Sequence, residues 1–277
     1  LILLAGALIG GGLWLRNRGQ RWEAFIAHLN RQTGVVVTRV EKTGGVRHIF
    51  GLRDPLAVDP QSLLADTGLP ADKVAWHWRP YHDLAPELVM ARIRHRLKPP
   101  DGVTLQLQGG RLEMKGFARH RWIQAAKQLS AGLLSISEVD MQAVKDIDLI
   151  QASGEAERLA AKTLYFTLGS FEIDADGALV LSDVVATIER LTTLSRETGV
   201  AIHITIIGHT DESGSRTKNL ALAQKRAEVV REHLIRQGVP PHHLQAVGIS
   251  SHAAAAAPTE ANEALLRSVT FHAVKNG

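Results

Sequence analysis

Asp211, Asn219 and Arg226 place a carboxylate, a carboxamide and a guanidinium within one short stretch of the chain. A carboxylate and a guanidinium aimed at one point suit a zwitterion, the end of an amino acid with one ammonium and one carboxylate. Asn219 and Arg226 are seven residues apart, about two helical turns, so a helix that starts beside Asp211 puts both on one face. The three groups can then converge on one pocket. A plainer reading has Asp211 capping the next helix while Arg226 pairs with a surface acid.

The elements that must position these groups emerge from local pattern. Ala201–Ile207 is β-branched and mostly apolar and reads as a buried strand. Gly208-His209-Thr210-Asp211-Glu212-Ser213-Gly214-Ser215 is then a polar, glycine-broken loop in which backbone N–H groups are free for a ligand or a cap. From Asn219 to Gln237 the apolar positions Leu220, Leu222, Ala223, Ala227, Val230 and Leu234 recur at helical spacing. Around this core the pattern predicts strand Thr163–Leu168, helix Ser182–Thr198, strand Val200–Ile207, strand His243–Ile249 and strand Ser268–Val274. That alternation predicts a parallel or mixed sheet covered by helices.

Gly208-His209-Thr210-Asp211, Gly214-Ser215, Asn219, Leu222 and Arg226-Ala227 resemble the signature of the OmpA-like C-terminal domain. So do Gly238-Val239, Leu244 and Gly248, and upstream Tyr165-Phe166 with Ser170 and Ile173. The resemblance covers roughly residues 160–273. It implies an α/β sandwich with a mixed sheet that binds peptidoglycan non-covalently, holding the diaminopimelate of the stem peptide between Asp211 and Arg226. On that reading Asn219, Thr210 and Ser213 complete the pocket, and Arg226→Ala or Asp211→Ala removes wall binding with the fold intact. The sequence departs from the family at Leu222-Ala223, where Leu-Ser is usual, and at Leu266-Arg267-Ser268-Val269, where Asn-Arg-Arg-Val is usual. The run Ala253–Ala257 makes the segment between Gly248 and Asn262 alanine-rich.

At 277 residues the chain suggests two or three domains, and 45% hydrophobic residues suffice for real cores. With no cysteine among these 277 residues, none of them is expected to form a disulfide, a thiolate metal site or a lipid-modified cysteine. Residues 1–149 carry 20 Lys and Arg against 14 Asp and Glu, and residues 150–277 carry 12 against 14, so charges of +6 and −2 make the net +4. This mild basicity is scattered without a Lys/Arg block, which argues against a nucleic-acid partner. Leu1–Leu15 holds no charge and ends with Trp14 in an interfacial position. A bilayer span takes about 20 apolar residues, so this run reads as the last part of a transmembrane helix, with residues 1–20 as helix end and juxtamembrane segment. Arg16, Arg18 and Arg21 would by charge alone place residues 16 onward in the cytoplasm. A wall-binding domain belongs outside, and the ligand outweighs one flank of charge.

Residues 21–149 contain an internal repeat. Helix Trp22–Arg31 leads to Gly34-Val35-Val36-Val37, a Gly44-Gly45 turn and Val46–Gly51. Helix Glu87–Leu97 leads to Gly102-Val103-Thr104-Leu105, a Gly109-Gly110 turn and Arg111–Gly116. The matching glycines are 68, 65 and 65 residues apart, and each hairpin precedes a helix (Pro60–Ala65, His120–Leu134) and a strand (Lys73–Trp78, Ser137–Asp140). The pattern is similar to the BON module, which gives BON-like repeats over 21–84 and 85–149 and an OmpA-like domain over 150–277. Trp76, Trp78, Pro80, Tyr81 and His82 form an aromatic cluster that reads as packing between the two repeats, with a sugar or lipid platform as the alternative. Met141–Ala161 reads as a polar helical junction interrupted at Ser153-Gly154.

None of the 13 histidines falls in a paired ligand spacing. No nucleophile elbow, phosphate loop or dinucleotide fingerprint occurs, so no enzyme and no cofactor are expected. The expected class is α+β and the expected place the cell envelope, with an inner-membrane helix and periplasmic domains. The expected function is to anchor an envelope complex to the wall, with peptidoglycan stem peptide and membrane as partners, and protein partners or a homo-oligomer through the helix and repeats. The alternatives are a stator-like component of an ion-driven machine, whose helix would need a carboxylate absent from Leu1–Leu15, and a scaffold whose repeats recruit proteins.

Overall fold

The computed structural model describes residues 19–133, 135–210, 215–250 and 267–276. The apolar run Leu1–Leu15 lies outside the described residues. Among those described, no helix is long and apolar enough to cross a membrane. The chain divides into two compact units, one of residues up to Lys115 with Ala126–Ala143, the other of Gly116–Ala125 with Val144 onward.

The N-terminal elements run helix, two strands, helix, strand, and then repeat that order. Helix α1, described over residues 19–29, precedes β1 (Val35–Thr43), β2 (Val46–Arg53), α2 (Pro60–Ala65) and β3 (Val74–Pro80). Next come α3 (Pro86–Leu97), β4 (Val103–Gln108), β5 (Arg111–Ala118), α4 (His120–Ser130) and β6 (Glu138–Asp146). Both sheets keep chain order, β1-β2-β3 and β4-β5-β6. Gly44-Gly45 and Gly109-Gly110 all have positive φ, at 61° and 83° and at 57° and 83°. Two successive left-handed residues are what a two-residue hairpin turn requires, and glycine adopts them without a Cβ penalty.

In the first sheet β1 and β2 are antiparallel while β3 joins β2 in parallel, the crossover being made by α2. One face of this sheet is closed by Trp22, Phe25 and Leu29 of α1 against Val35, Ile49 and Leu64. Trp76 and Trp78 of β3 pack onto this same core, the Trp76 ring 6.4 Å from that of Phe25. These two tryptophans of the cluster expected between repeats therefore serve the first sheet itself. β3 alternates, so every second residue must face the helix.

Asp54, just past β2, is fully buried. Its carboxylate accepts from the N–H of Leu56 (2.9 Å) and of Asp83 (2.8 Å) and from Arg92 (2.5 Å). Burial alone would raise its pKa, but the two N–H groups and the guanidinium outweigh it and hold the carboxyl below its ordinary value. A carboxyl shifted this way stabilises the fold above its unfolded pKa, and that stability is lost as pH falls through the folded one.

The second unit holds a four-stranded mixed sheet of order β7-β10-β8-β9. Its elements are α5 (Ile147–Ala160), β7 (Thr163–Tyr165), α6 (Ala175–Thr198), β8 (Ala201–Thr210), α7 (Arg216–Arg236), β9 (Leu244–Ser250) and β10 (Ser268–Asn276). β10 is antiparallel to β7 and β8, and β9 is parallel to β8. Leu181, Val184 and Ile188 of α6, Ile202, Ile204 and Ile206 of β8, Val230 and Leu234 of α7 and Phe271 of β10 form one buried core.

Three local expectations need correction. β6 continues to Asp146, and α5 is an unbroken helix through Ser153-Gly154 whose Leu159 is buried in the C-terminal core, so 141–161 is no loose junction. The Ser153 hydroxyl donates back to Leu149 O at 3.0 Å, a contact the helix accommodates without breaking. α6 begins seven residues before Ser182, because Asp174 caps it by accepting from Gly177 N at 2.7 Å. β8 runs on through Gly208-His209-Thr210, so part of the expected loop is strand.

These packings can be tested by substitution. Gly208 and Gly248 are register partners on β8 and β9; a Cβ at Gly208 would lie 2.0 Å from Ala223 O, and one at Gly248 2.4 Å from Gln224 N. Backbone atoms cannot swing aside, so Gly208→Ala lowers stability by about 3 kcal/mol, the upper end of overpacking costs, in urea unfolding. Asp54→Ala costs about 3–5 kcal/mol by leaving Arg92 and two N–H groups without their acceptor. It also flattens the loss of stability that the wild type shows on acidification below about pH 4.

Candidate functional site

β8 and α7 bring the chemically interesting residues together. Along β8 the side chains of Ile202, Ile204 and Ile206 enter the core, and by the same alternation Thr210 points inward and is buried, only 3% exposed. Residues 211–214, and with them the expected ligands Asp211 and Ser213, lie outside the described residues. α7 starts immediately after, with Ser215 at its N-cap, and Asn219 N donates to Ser215 O at 3.0 Å. Asn219 is half-buried on the helix face that continues through Ala223, Arg226 and Ala227.

That face can lie against the sheet because Gly208 and Gly248 present no side chain to it. Gln224 completes the seam. Its Oε1 accepts from Gly248 N at 2.7 Å, and its Nε2 donates to Ala246 O at 3.4 Å and Glu228 Oε1 at 3.1 Å. Among the described residues β9 is the edge strand of the sheet, and the Gln224 amide gives its backbone a partner there.

Arg226 is 1% exposed. Its Nε donates to Ser170 O at 2.8 Å, Nη1 to His209 O at 3.1 Å and Nη2 to Thr167 O at 3.3 Å, and the guanidinium lies 5.2 Å from the Phe166 ring centroid. One side chain of α7 thereby ties the connection between β7 and α6 to the end of β8. The planar fork of five donors suits this work, since separate N–H groups can reach separate carbonyls. Of the expected site residues, then, Thr210, Asn219 and Arg226 are placed on adjoining elements. The Thr210 hydroxyl is buried with no hydrogen-bond partner among the described residues, a costly state for a polar atom.

His209 stands in the signature stretch without being an expected ligand, yet it belongs to this cluster. Its carbonyl holds Arg226, and its Nε2 lies 2.9 Å from Thr270 Oγ1 on β10. Burial, with a smaller effect from His272, lowers its pKa, so the ring is neutral at pH 7. The carbonyls of Thr167 and Ser170 are equally invisible to sequence reading, because backbone acceptors leave no mark on residue type. Among the described residues no group of three or more His, Cys, Asp or Glu could hold a metal ion.

Relatives of known type match the C-terminal part of the chain, where this geometry lies. Residues 165–265 match the OmpA family. The peptidoglycan-associated lipoprotein of Brucella melitensis is 37% identical over 84 residues, 30% of this chain and 45% of its own length. That of Pseudomonas aeruginosa is 35% identical over 95 residues, 34% of this chain and 51% of its own. The chain thus spans about half the length of these relatives. The crystal structure of the peptidoglycan-associated lipoprotein from Burkholderia pseudomallei is 30% identical with a TM-score of 0.36, covering 42% of this chain and 92% of that one.

Arg226 is a folding determinant as much as a candidate ligand. Arg226→Ala would take a charged donor from three carbonyl oxygens, of which Thr167 O keeps Ser170 N, and open a cavity, at about 3–5 kcal/mol. Arg226→Lys keeps the charge and one donor at a time and should recover part of that loss. Urea unfolding of both variants beside wild type checks the order wild type, Lys, Ala.

Proposed function

We propose that the protein binds peptidoglycan non-covalently through its C-terminal unit and, tethered by a membrane helix that includes Leu1–Leu15, anchors an envelope complex to the cell wall. The observation that carries this reading is the buried Arg226 near the end of β8, where the Thr210 hydroxyl has no partner among the described residues. It stands within the stretch that matches the OmpA family, and relatives of that stretch are named peptidoglycan-associated lipoproteins. In this reading Asp211 takes the ammonium of diaminopimelate and Arg226 its carboxylate. Thr210, Ser213 and Asn219 complete the pocket with the backbone N–H groups of the loop. The double αββαβ array serves as a BON-like spacer between membrane and wall. No step of chemistry is involved: the ligand is held, not converted.

Because Arg226 also holds the fold, Asp211 is the cleaner test. Asp211→Asn preserves shape and removes the charge, and losing one partner of a desolvated ion pair costs about 2–5 kcal/mol. Folded Asp211→Asn should stay in the supernatant when insoluble sacculi are sedimented, while wild type pellets, with circular dichroism as the folding control. A wild type that never pellets, or a variant that pellets equally, ends the proposal. The tether has its own test. The chain has no native cysteine, so one introduced near residue 150 should react with an impermeant thiol reagent in cells with a permeabilised outer membrane. Reaction only after the inner membrane is broken would place the domains on the other side.

A further inference from the structure

Arg226 fixes more than the pocket. The two carbonyls it holds between β7 and α6 belong to Thr167 and Ser170, and the residues next to them, Leu168 and Phe171, are exposed to 79% and 41%. Successive Cα atoms are about 3.8 Å apart, so both apolar side chains start within one residue of an atom bonded to the guanidinium. The segment is closed on itself: Ser170 N donates to Thr167 O at 3.0 Å, Gly169 takes a φ of 69°, and Glu172 N donates to Ser170 Oγ at 3.0 Å. Exposed apolar groups on so well-held a turn have little ordering entropy left to lose when something covers them.

A cation joins them. Lys225 Nζ lies 5.9 Å from the centroid of the Phe171 ring. Lys225 is exposed, precedes Arg226 in sequence and makes no ion pair among the described residues. An aromatic face, an aliphatic side chain and an uncommitted ammonium at one rim suit a carboxylate with an apolar group beside it.

We propose that this rim binds the sugar-proximal part of the peptidoglycan stem, Lys225 pairing with the free α-carboxylate of the γ-linked glutamyl residue while Phe171 and Leu168 cover the alanyl methyl. The proposal rests on the reading of the pocket as a diaminopimelate site. In the stem L-alanyl-γ-D-glutamyl-diaminopimelate, the glutamyl residue adjoins diaminopimelate and its α-carboxylate is not used in the chain. Such a stem carries a free carboxylate beside diaminopimelate and a methyl one residue further on, the two kinds of group that Lys225 and the apolar side chains of Phe171 and Leu168 suit. The rim adds affinity for the stem over its terminal amino acid, and it distinguishes stems with a free glutamyl carboxylate from those in which it is amidated.

Calorimetric titration of the full chain with three ligands tests this: free meso-diaminopimelate, the tripeptide, and the tripeptide amidated at the glutamyl α-carboxyl. Wild type should bind the tripeptide about tenfold tighter than diaminopimelate, the sum of an exposed ion pair and a small apolar burial. Lys225→Gln and Phe171→Ala should each erase most of that difference and leave the affinity for diaminopimelate unchanged. The amidated tripeptide should bind wild type as weakly as the acid binds Lys225→Gln. Equal binding of all three ligands by wild type overturns the rim proposal and leaves the pocket standing. So does an equal loss for diaminopimelate and tripeptide in the variants. If wild type binds none of them, the pocket reading fails and takes the rim with it.

Discussion

A guanidinium cannot be taken out of water cheaply, and Arg226 is buried beneath the ends of two strands. Its burial is offset by charge-assisted bonds to Thr167, Ser170 and His209 carbonyls and by the face of Phe166. Those acceptors come from distant parts of the chain, so the bonds exist only once β7, β8 and α7 are all in place. The same cation is what makes the spot chemically interesting. Residues that fold the site and residues that would use it are here partly the same atoms.

Arg226 gets there because α7 is allowed unusually close to the sheet. Gly208 and Gly248 sit opposite one another on parallel strands, and the helix backbone at Ala223 and Gln224 occupies the space their side chains would need. Ala223 and Ala227 keep the rest of the seam thin. Gln224 then bonds the edge strand as well as the helix surface, which fixes α7 along the strand direction. Close approach, small residues and one bridging amide together determine where the Arg226 fork ends up.

The N-terminal unit solves a different problem, that of stabilising a very small core. A three-stranded sheet and two helices enclose few apolar side chains, and such modules are marginal on burial alone. Asp54 adds a buried, fully bonded carboxylate that links the end of β2 to Asp83 and, through Arg92, to α3. The order of α3, β4, β5, α4 and β6 repeats that of α1, β1, β2, α2 and β3, glycine turns included.

The hairpins at Gly44-Gly45 and Gly109-Gly110, helix Pro60–Ala65, and the strand–loop–helix frame around Arg226 were legible in the sequence. They are written in periodicities of two and 3.6 and in turn residues, all of which act over a few neighbours. That Asn219 and Arg226 share one helix was legible for the same reason. What no local pattern carried was everything settled by contacts between distant segments. The continuation of β8 to Thr210 depends on pairing with β9 and β10. The recruitment of α5 to the C-terminal core depends on where Leu159 finds cover. Three of the partners of Arg226 are carbonyl oxygens, which every residue possesses and no letter of the sequence marks, so only the tertiary structure decided that this arginine clasps Thr167, Ser170 and His209.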